Sequence, residues 1–109
     1  MTSSQVKELS EIKKLVKLGQ RKFELRKDCD YLQDLLEIGI TEEEAWNHVL
    51  YLNKNFWFVD PKPSYSKNSD DALLFKKQIN GILVYIKIKI EVKNDKEMAV
   101  CLSFHKDWR

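Results

Sequence analysis

Glycine, proline and cysteine are all scarce in this 109-residue chain, at three, two and two residues. So little Gly and Pro excludes a loop-dominated scaffold. Cys29 and Cys101 lie far apart with no Cys or His at ligand spacing around them, which excludes a zinc knuckle and a CxxC redox pair. Each is expected to be a small core or sheet residue with a reduced thiol. Long apolar runs are missing too, since none approaches the roughly 18 residues of a membrane span. Met1 to Gln5 leads straight into a charged amphipathic stretch rather than the apolar core of a signal peptide, so the expectation is a cytoplasmic protein with no membrane partner. An excess of one charge is also lacking: 19 basic against 17 acidic side chains leave +2, and bulk charge makes no case for nucleic-acid binding.

What is present is 43% hydrophobic and 11% aromatic residues, too much for disorder, in a length suited to one core and one domain, 1–109. The charge is unevenly distributed. Residues 1–53 hold 8 basic and 10 acidic side chains, and residues 54–109 hold 11 and 7. Any anionic partner would therefore meet the second half.

Val6, Leu9, Ile12, Leu15, Val16 and Leu18 recur near a helical period, with Lys7, Lys13, Lys14 and Lys17 on the remaining face and Gly19 as a stop. Phe23 and Leu25 alternate with charges, as a short edge strand would. Asp28 or Asp30 can cap a helix carrying Tyr31, Leu32, Leu35, Leu36 and Ile38 that ends at Gly39. Thr41 and Glu44 form a capping box for a third helix with Ala45, Trp46, Val49, Leu50 and Leu52 as its apolar set. Glu42 to Glu44 are a helix first turn, where the dipole favours anions, rather than a catalytic cluster. From Asn53 the texture becomes extended. Phe56 to Val59 is a strand candidate, and residues 60–70 are a polar loop punctuated by Pro61 and Pro63. Ala72–Ile79 and Ile82–Val92 form a hairpin around Asn80-Gly81, and a final strand runs from about Glu97 to His105. The fold class is α+β, with N-terminal helices on one face of a C-terminal antiparallel sheet.

Strand parity selects a surface. Ile82, Val84, Ile86, Ile88, Ile90 and Val92 share one side, and Leu83, Tyr85, Lys87, Lys89 and Glu91 the other. In the final strand Met98, Val100, Leu102 and Phe104 mark the core side, leaving Ala99, Cys101, Ser103 and His105 opposite. A two-residue turn at Asn94-Asp95 would mismatch these stripes. A three-residue connection matches them and sets Tyr85 opposite His105 and Lys87 opposite Ser103. The Asn80-Gly81 turn sets Lys76 opposite Tyr85 and Gln78 opposite Leu83. The same register turns Lys77 toward the core, which suits a shifted strand or one at an edge.

The row Lys76, Tyr85, His105, flanked by Lys87, Lys89, Gln78 and Ser103, contains an imidazole, a phenol and several ammonium groups. Phosphodiester chemistry needs such a set: cations for the charge that builds on phosphate, a general base and a general acid. No carboxylate pair with metal-ligand spacing accompanies it, so on RNA the 2′-hydroxyl would be the nucleophile, with no metal and no cofactor. An alternating Lys and Tyr face is also an ordinary solvated surface in many small antiparallel domains.

Several strings add a resemblance. Glu11 to Lys17, Leu36-Glu-Ile-Gly-Ile40, Val49-Leu-Tyr-Leu52, the aromatic Phe56-Trp-Phe58, Gly81 to Lys87 and Ser103-Phe-His105 together resemble the MqsR family of bacterial toxins, RelE-like mRNA interferases. The resemblance spans nearly the whole chain from about residue 6. It implies a cytoplasmic, metal-independent endoribonuclease that cleaves single-stranded mRNA and is inhibited by a cognate antitoxin protein. By position the family's strand tyrosine falls on Tyr85 and its C-terminal basic residue on His105. The lysine that follows the aromatic pair falls near Val59, with Lys62 as a substitute. The polar residue before the hairpin turn has Lys76 and Gln78 as neighbours.

Tyr85, His105, Lys76 and Lys87 are therefore the expected catalytic set. Tyr85 or a neighbouring lysine would act on the 2′-hydroxyl, and His105 on the leaving 5′-oxygen. Lys76 and Lys87 would hold the phosphate. Lys62, Gln78, Lys89, Ser103 and Trp57 would contact RNA, with Trp57 and Tyr65 available for base stacking. The alternative expectation is a non-catalytic module of RelE-like fold that binds protein or nucleic acid.

Overall fold

The computed structural model describes residues 3–24, 30–57 and 72–107. In chain order these form α1 (Ser3–Lys17), β1 (Arg21–Phe23), α2 (Tyr31–Ile38), α3 (Glu42–Leu50), a 3-10 turn (Lys54–Phe56), β2 (Leu73–Ile79), β3 (Ile82–Lys93) and β4 (Lys96–Lys106). Cys29, Val59, Lys62 and Tyr65 lie outside the described residues.

Local chemistry sets the helix ends. The Asp30 carboxylate accepts from the Leu32 and Gln33 amides at the start of α2. Gly39, at φ 85°, closes that helix in the left-handed region, where a Cβ would be strained. In α3 the Glu44 amide donates to Thr41 Oγ1 at 3.1 Å, and the Thr41 amide donates to Glu44 Oε1 at 3.0 Å. Such a cap stabilises a helix by about 1 kcal/mol. Leu9, Ile12, Leu15 and Val16 of α1 are buried, whereas Val6 and Leu18 at its two ends are exposed. In α2 the buried pair is Leu35 and Ile38, and Leu32 and Leu36 stand on the solvent side.

The sheet order is β1-β4-β3-β2, and it is mixed rather than wholly antiparallel, because β1 lies parallel to β4 (Arg21 opposite Ala99, Phe23 opposite Cys101). A crossover through two helices and a hairpin separates these strands in sequence, which permits the parallel pairing. One hydrophobic cluster joins the helices to the sheet through Ile12, Val16, Phe23, Leu35, Trp46, Phe75, Ile86 and Phe104. Phe23 stacks on Tyr31 at 4.5 Å and meets Trp46 at 4.8 Å, so the edge strand β1 ties α2 and α3 to the sheet. Arg21 adds an ion pair to Glu43 at 3.2 Å and lies over the Trp46 ring. The expected strand at Phe56–Val59 is corrected within its described part. Asn53 caps the 3-10 turn, and Trp57 makes only a single bridge to Phe75.

The β3–β4 hairpin resolves the parity conflict differently from expectation. Its turn is the two-residue Asn94-Asp95, with φ 55° and 61°, and Lys93 faces Lys96. The register shifts between Lys87 and Ile88, because Ile88 faces Cys101 while Lys87 faces Ser103. Leu102 is the extra residue of a β-bulge. Before the bulge the core side of β4 is Ala99 and Cys101, and after it Phe104. Ala99 and Cys101 were expected on the opposite face and Met98, Val100 and Leu102 on the core side; the two-residue turn exchanges them, and the bulge restores Phe104 to the core. Cys101 is buried, and its thiol donates to the Ser103 carbonyl.

Candidate functional site

Past the bulge the expected rows are in place. Lys76 faces Tyr85, Tyr85 faces His105, Lys87 faces Ser103, and Gln78 faces Leu83. Directly opposed side chains on neighbouring strands stand about 5 Å apart at Cβ, close enough for rings to meet. The Tyr85 and His105 rings stack, with centroids 5.2 Å apart and planes within 13°.

His105 Nδ1 lies 2.8 Å from the Lys106 carbonyl oxygen. A carbonyl only accepts, so the hydrogen sits on Nδ1, and the lone pair of the neutral ring is on Nε2. When both ring nitrogens carry hydrogen, Nδ1 still donates to that carbonyl and Nε2–H is the second donor.

Asp107 completes this end of the face. Its amide donates to the Leu83 carbonyl at 2.8 Å, extending the ladder by one bond. Its carboxylate, only 5% exposed, forms a 2.9 Å ion pair with Lys76 Nζ. Lys76 starts on β2 and Asp107 follows β4, so the lysine chain spans β3 beside Tyr85. The pair fixes the ammonium against the row and offsets its charge. Asp34, on α2, is the second acidic neighbour. Burial raises its carboxyl above the ordinary range, the charge of His105 acts against that rise, and Glu37 and Asp30 add to it. Glu37 itself reaches Lys106 at 3.7 Å, so α2 supplies negative charge along this end of β4.

The expected cations differ in access. Lys87 is 9% exposed, with Val100 and Leu102 on β4 also buried, so the face is less open than alternation implies. Lys89 is largely covered and pairs with Glu91 at 3.9 Å. Tyr85, His105, Ser103 and Lys76 are half-buried, and Gln78 is exposed. Trp57 does not join them. It packs edge-on to Phe75 at 5.9 Å, on the helix side of the sheet.

Lys77 faces that helix side as its register required, and β2 is an edge strand, so its ammonium escapes the core. It sits 5.3 Å from the Phe56 ring centroid and 5.9 Å from that of Tyr51. Burial lowers its pKa from the ordinary lysine value. Burial also lowers His48, as does Lys77, against the pull of Glu44.

Sequence reading missed Asp107, Asp34 and the Lys77 cluster. Asp107 had a signal: period two carries the His105 face forward to residue 107, one step beyond the expected strand end. Asp34 and Tyr51 had none, since only helix packing brings them to their neighbours. Among the described residues no group of three His, Cys, Asp or Glu side chains is arranged to hold a metal ion. No described helix is long and apolar enough to cross a membrane. Set against models of protein families and against curated proteins, the chain matches none.

Proposed function

We propose that this chain is a metal-independent endoribonuclease acting on single-stranded mRNA, the toxin of a type II toxin–antitoxin pair, with an RelE-like fold. The observation that carries the reading is the Tyr85–His105 stack beside the Lys76 ammonium. Three chemically distinct groups needed for phosphoryl transfer meet on one row. The resemblance of Gly81 to Lys87 and Ser103 to His105 to the MqsR family supports the same two residues.

The reaction is an internal displacement. The 2′-hydroxyl loses its proton to Tyr85 in its phenolate form, or to a neighbouring lysine, and its oxygen bonds to phosphorus. The P–O5′ bond breaks, and His105 Nε2–H delivers a proton to the leaving oxygen. The products are a 2′,3′-cyclic phosphate and a 5′-hydroxyl. Lys76, held by Asp107, and Lys87 stabilise the charge on the phosphate oxygens. The nucleophile belongs to the substrate, so no step requires a metal. The partners in this reading are mRNA and a cognate antitoxin protein, which meet the enzyme in the cytoplasm.

Inducing the wild-type chain in a bacterium should arrest growth and generate new 5′-hydroxyl RNA ends, and the purified protein should cut RNA in EDTA. The double variant Tyr85→Phe, His105→Ala should do neither. Equal growth and intact transcripts in both strains would sink the proposal. A non-catalytic interaction module is the second reading, favoured by Leu32 and Leu36. These side chains stand one turn apart on α2 and are 57% and 70% exposed.

A further inference from the structure

The two lysines of the Lys76-Lys77 pair point to opposite faces of β2, an edge strand. Lys76 belongs to the Tyr85–His105 row. Lys77 belongs to an aromatic cluster on the helix side, and that cluster lies outside the chemistry described above.

Its parts are firmly held. Tyr51 follows α3 directly, its amide donating to the His48 carbonyl at 3.2 Å. Val49 and Leu52 on either side are fully buried, so the backbone is anchored and the Tyr51 ring is turned outward, 72% exposed. Asn53 Oδ1 accepts from the Asn55 amide at 2.8 Å and fixes the turn that carries Phe56. Lys77 stands between the two rings, and Lys54 is exposed at the start of the same turn. A fixed, open aromatic face bordered by ammonium groups suits an unpaired base with its phosphate: the ring accepts any base, and the cations meet the backbone.

We propose that Tyr51, Lys77 and Lys54 form a second nucleotide subsite, in which a base of single-stranded RNA stacks on Tyr51 while the flanking phosphate contacts the two lysines. The subsite rests on the RNA reading of the row, and it extends that reading around the β2 edge. The row runs across strands spaced about 4.8 Å apart, so the distance from His105 to β2 is about 10 Å, within the span of a few nucleotides. A strand held by its phosphate at Tyr85–His105 and leaving over β2 meets Tyr51 after turning around that edge to the face of Lys77. Of the groups around His48, Lys77 lowers its pKa and Glu44 raises it, so Glu44 is the acidic group nearest this end of the cluster through His48.

The test uses the full chain and a fluorescein-labelled 2′-O-methyl RNA dodecamer, which lacks the attacking hydroxyl, followed by anisotropy. A dinucleotide of the same chemistry, too short to reach both sites, is the companion probe. Tyr51→Ala should weaken dodecamer binding about tenfold and leave the dinucleotide unchanged, and Tyr51→Phe should restore the affinity. Lys77→Met should lower the salt dependence of dodecamer binding by about one phosphate contact. Thermal melts confirm that each variant is folded. Dodecamer binding that is unchanged by Tyr51→Ala and Lys77→Met but weakened by His105→Ala overturns the subsite and leaves the row standing. Weakening by Tyr51→Ala but not by His105→Ala also supports the subsite, because a general acid that serves the leaving oxygen in the transition state does not have to hold the bound RNA. A wild-type chain that binds neither probe rejects both.

Discussion

Lys76 and Lys77 are neighbours in sequence, and the protein accommodates their charges in different ways. Lys76 meets a carboxylate that is 5% exposed, across the width of β3. Lys77 meets two aromatic rings and gives up part of its hydration, which depresses its pKa. A buried carboxylate demands a cation, because an unmatched charge away from water is costly. Aromatic faces tolerate a cation without requiring one. The first lysine is therefore held by its partner's need, and the second by its own reach to the edge of the sheet.

That contrast is most exposed by removing each charge. Lys76→Met should have the largest effect, destabilising the fold by about 2–3 kcal/mol in urea unfolding, since it withdraws the ammonium from buried Asp107. Asp107→Asn should cost less, about 1 kcal/mol, because the amide keeps its shape and Lys76 can turn to water. Equal losses from the two changes would mean that the carboxylate is solvated and the asymmetry is wrong. Lys77→Met should lie within about 0.5 kcal/mol of the wild type, as an apolar chain of similar length packs on Phe56 and Tyr51. A loss comparable to that of Lys76→Met would show that the rings depend on the charge.

The smallest effect is a pH slope. Burial, and then Lys77, lower the His48 pKa, so the folded chain takes up that proton less readily than the unfolded chain does. Stability linked to His48 is therefore intact above about pH 6.5 and declines as the pH falls below it. His48→Asn should melt increasingly close to, or above, the wild type from pH 8 to pH 5. Parallel melting curves over that range would remove His48 from the cluster.

The sequence was most legible where a turn and a period acted together. Asn80-Gly81 fixes the β2–β3 register, and alternation along β3 then aligns Lys76 with Tyr85. The row to His105 was also legible, although the register arises through Leu102 rather than through the turn. A bulge has no composition of its own, so alternation alone could not separate a longer loop from an extra strand residue. Burial of Lys87 and the placement of Asp34 were illegible for another reason: both depend on what packs beside the strand, and periodicity carries no information about that.

The strand order has a consequence for timing. β4 lies between β1 and β3, although it is made after both of them. Until its residues are available, β1 has no partner in the sheet and the hairpin of β2 and β3 lacks its neighbour on the inner side. Contacts such as Arg21 with Ala99 also close a very long loop, which slows folding. During synthesis the row cannot assemble ahead of the sheet, because the same strand that brings His105 to Tyr85 joins β1 to β3. A ribosome-bound chain that stops short of β4 would have neither a closed sheet nor the stacked pair.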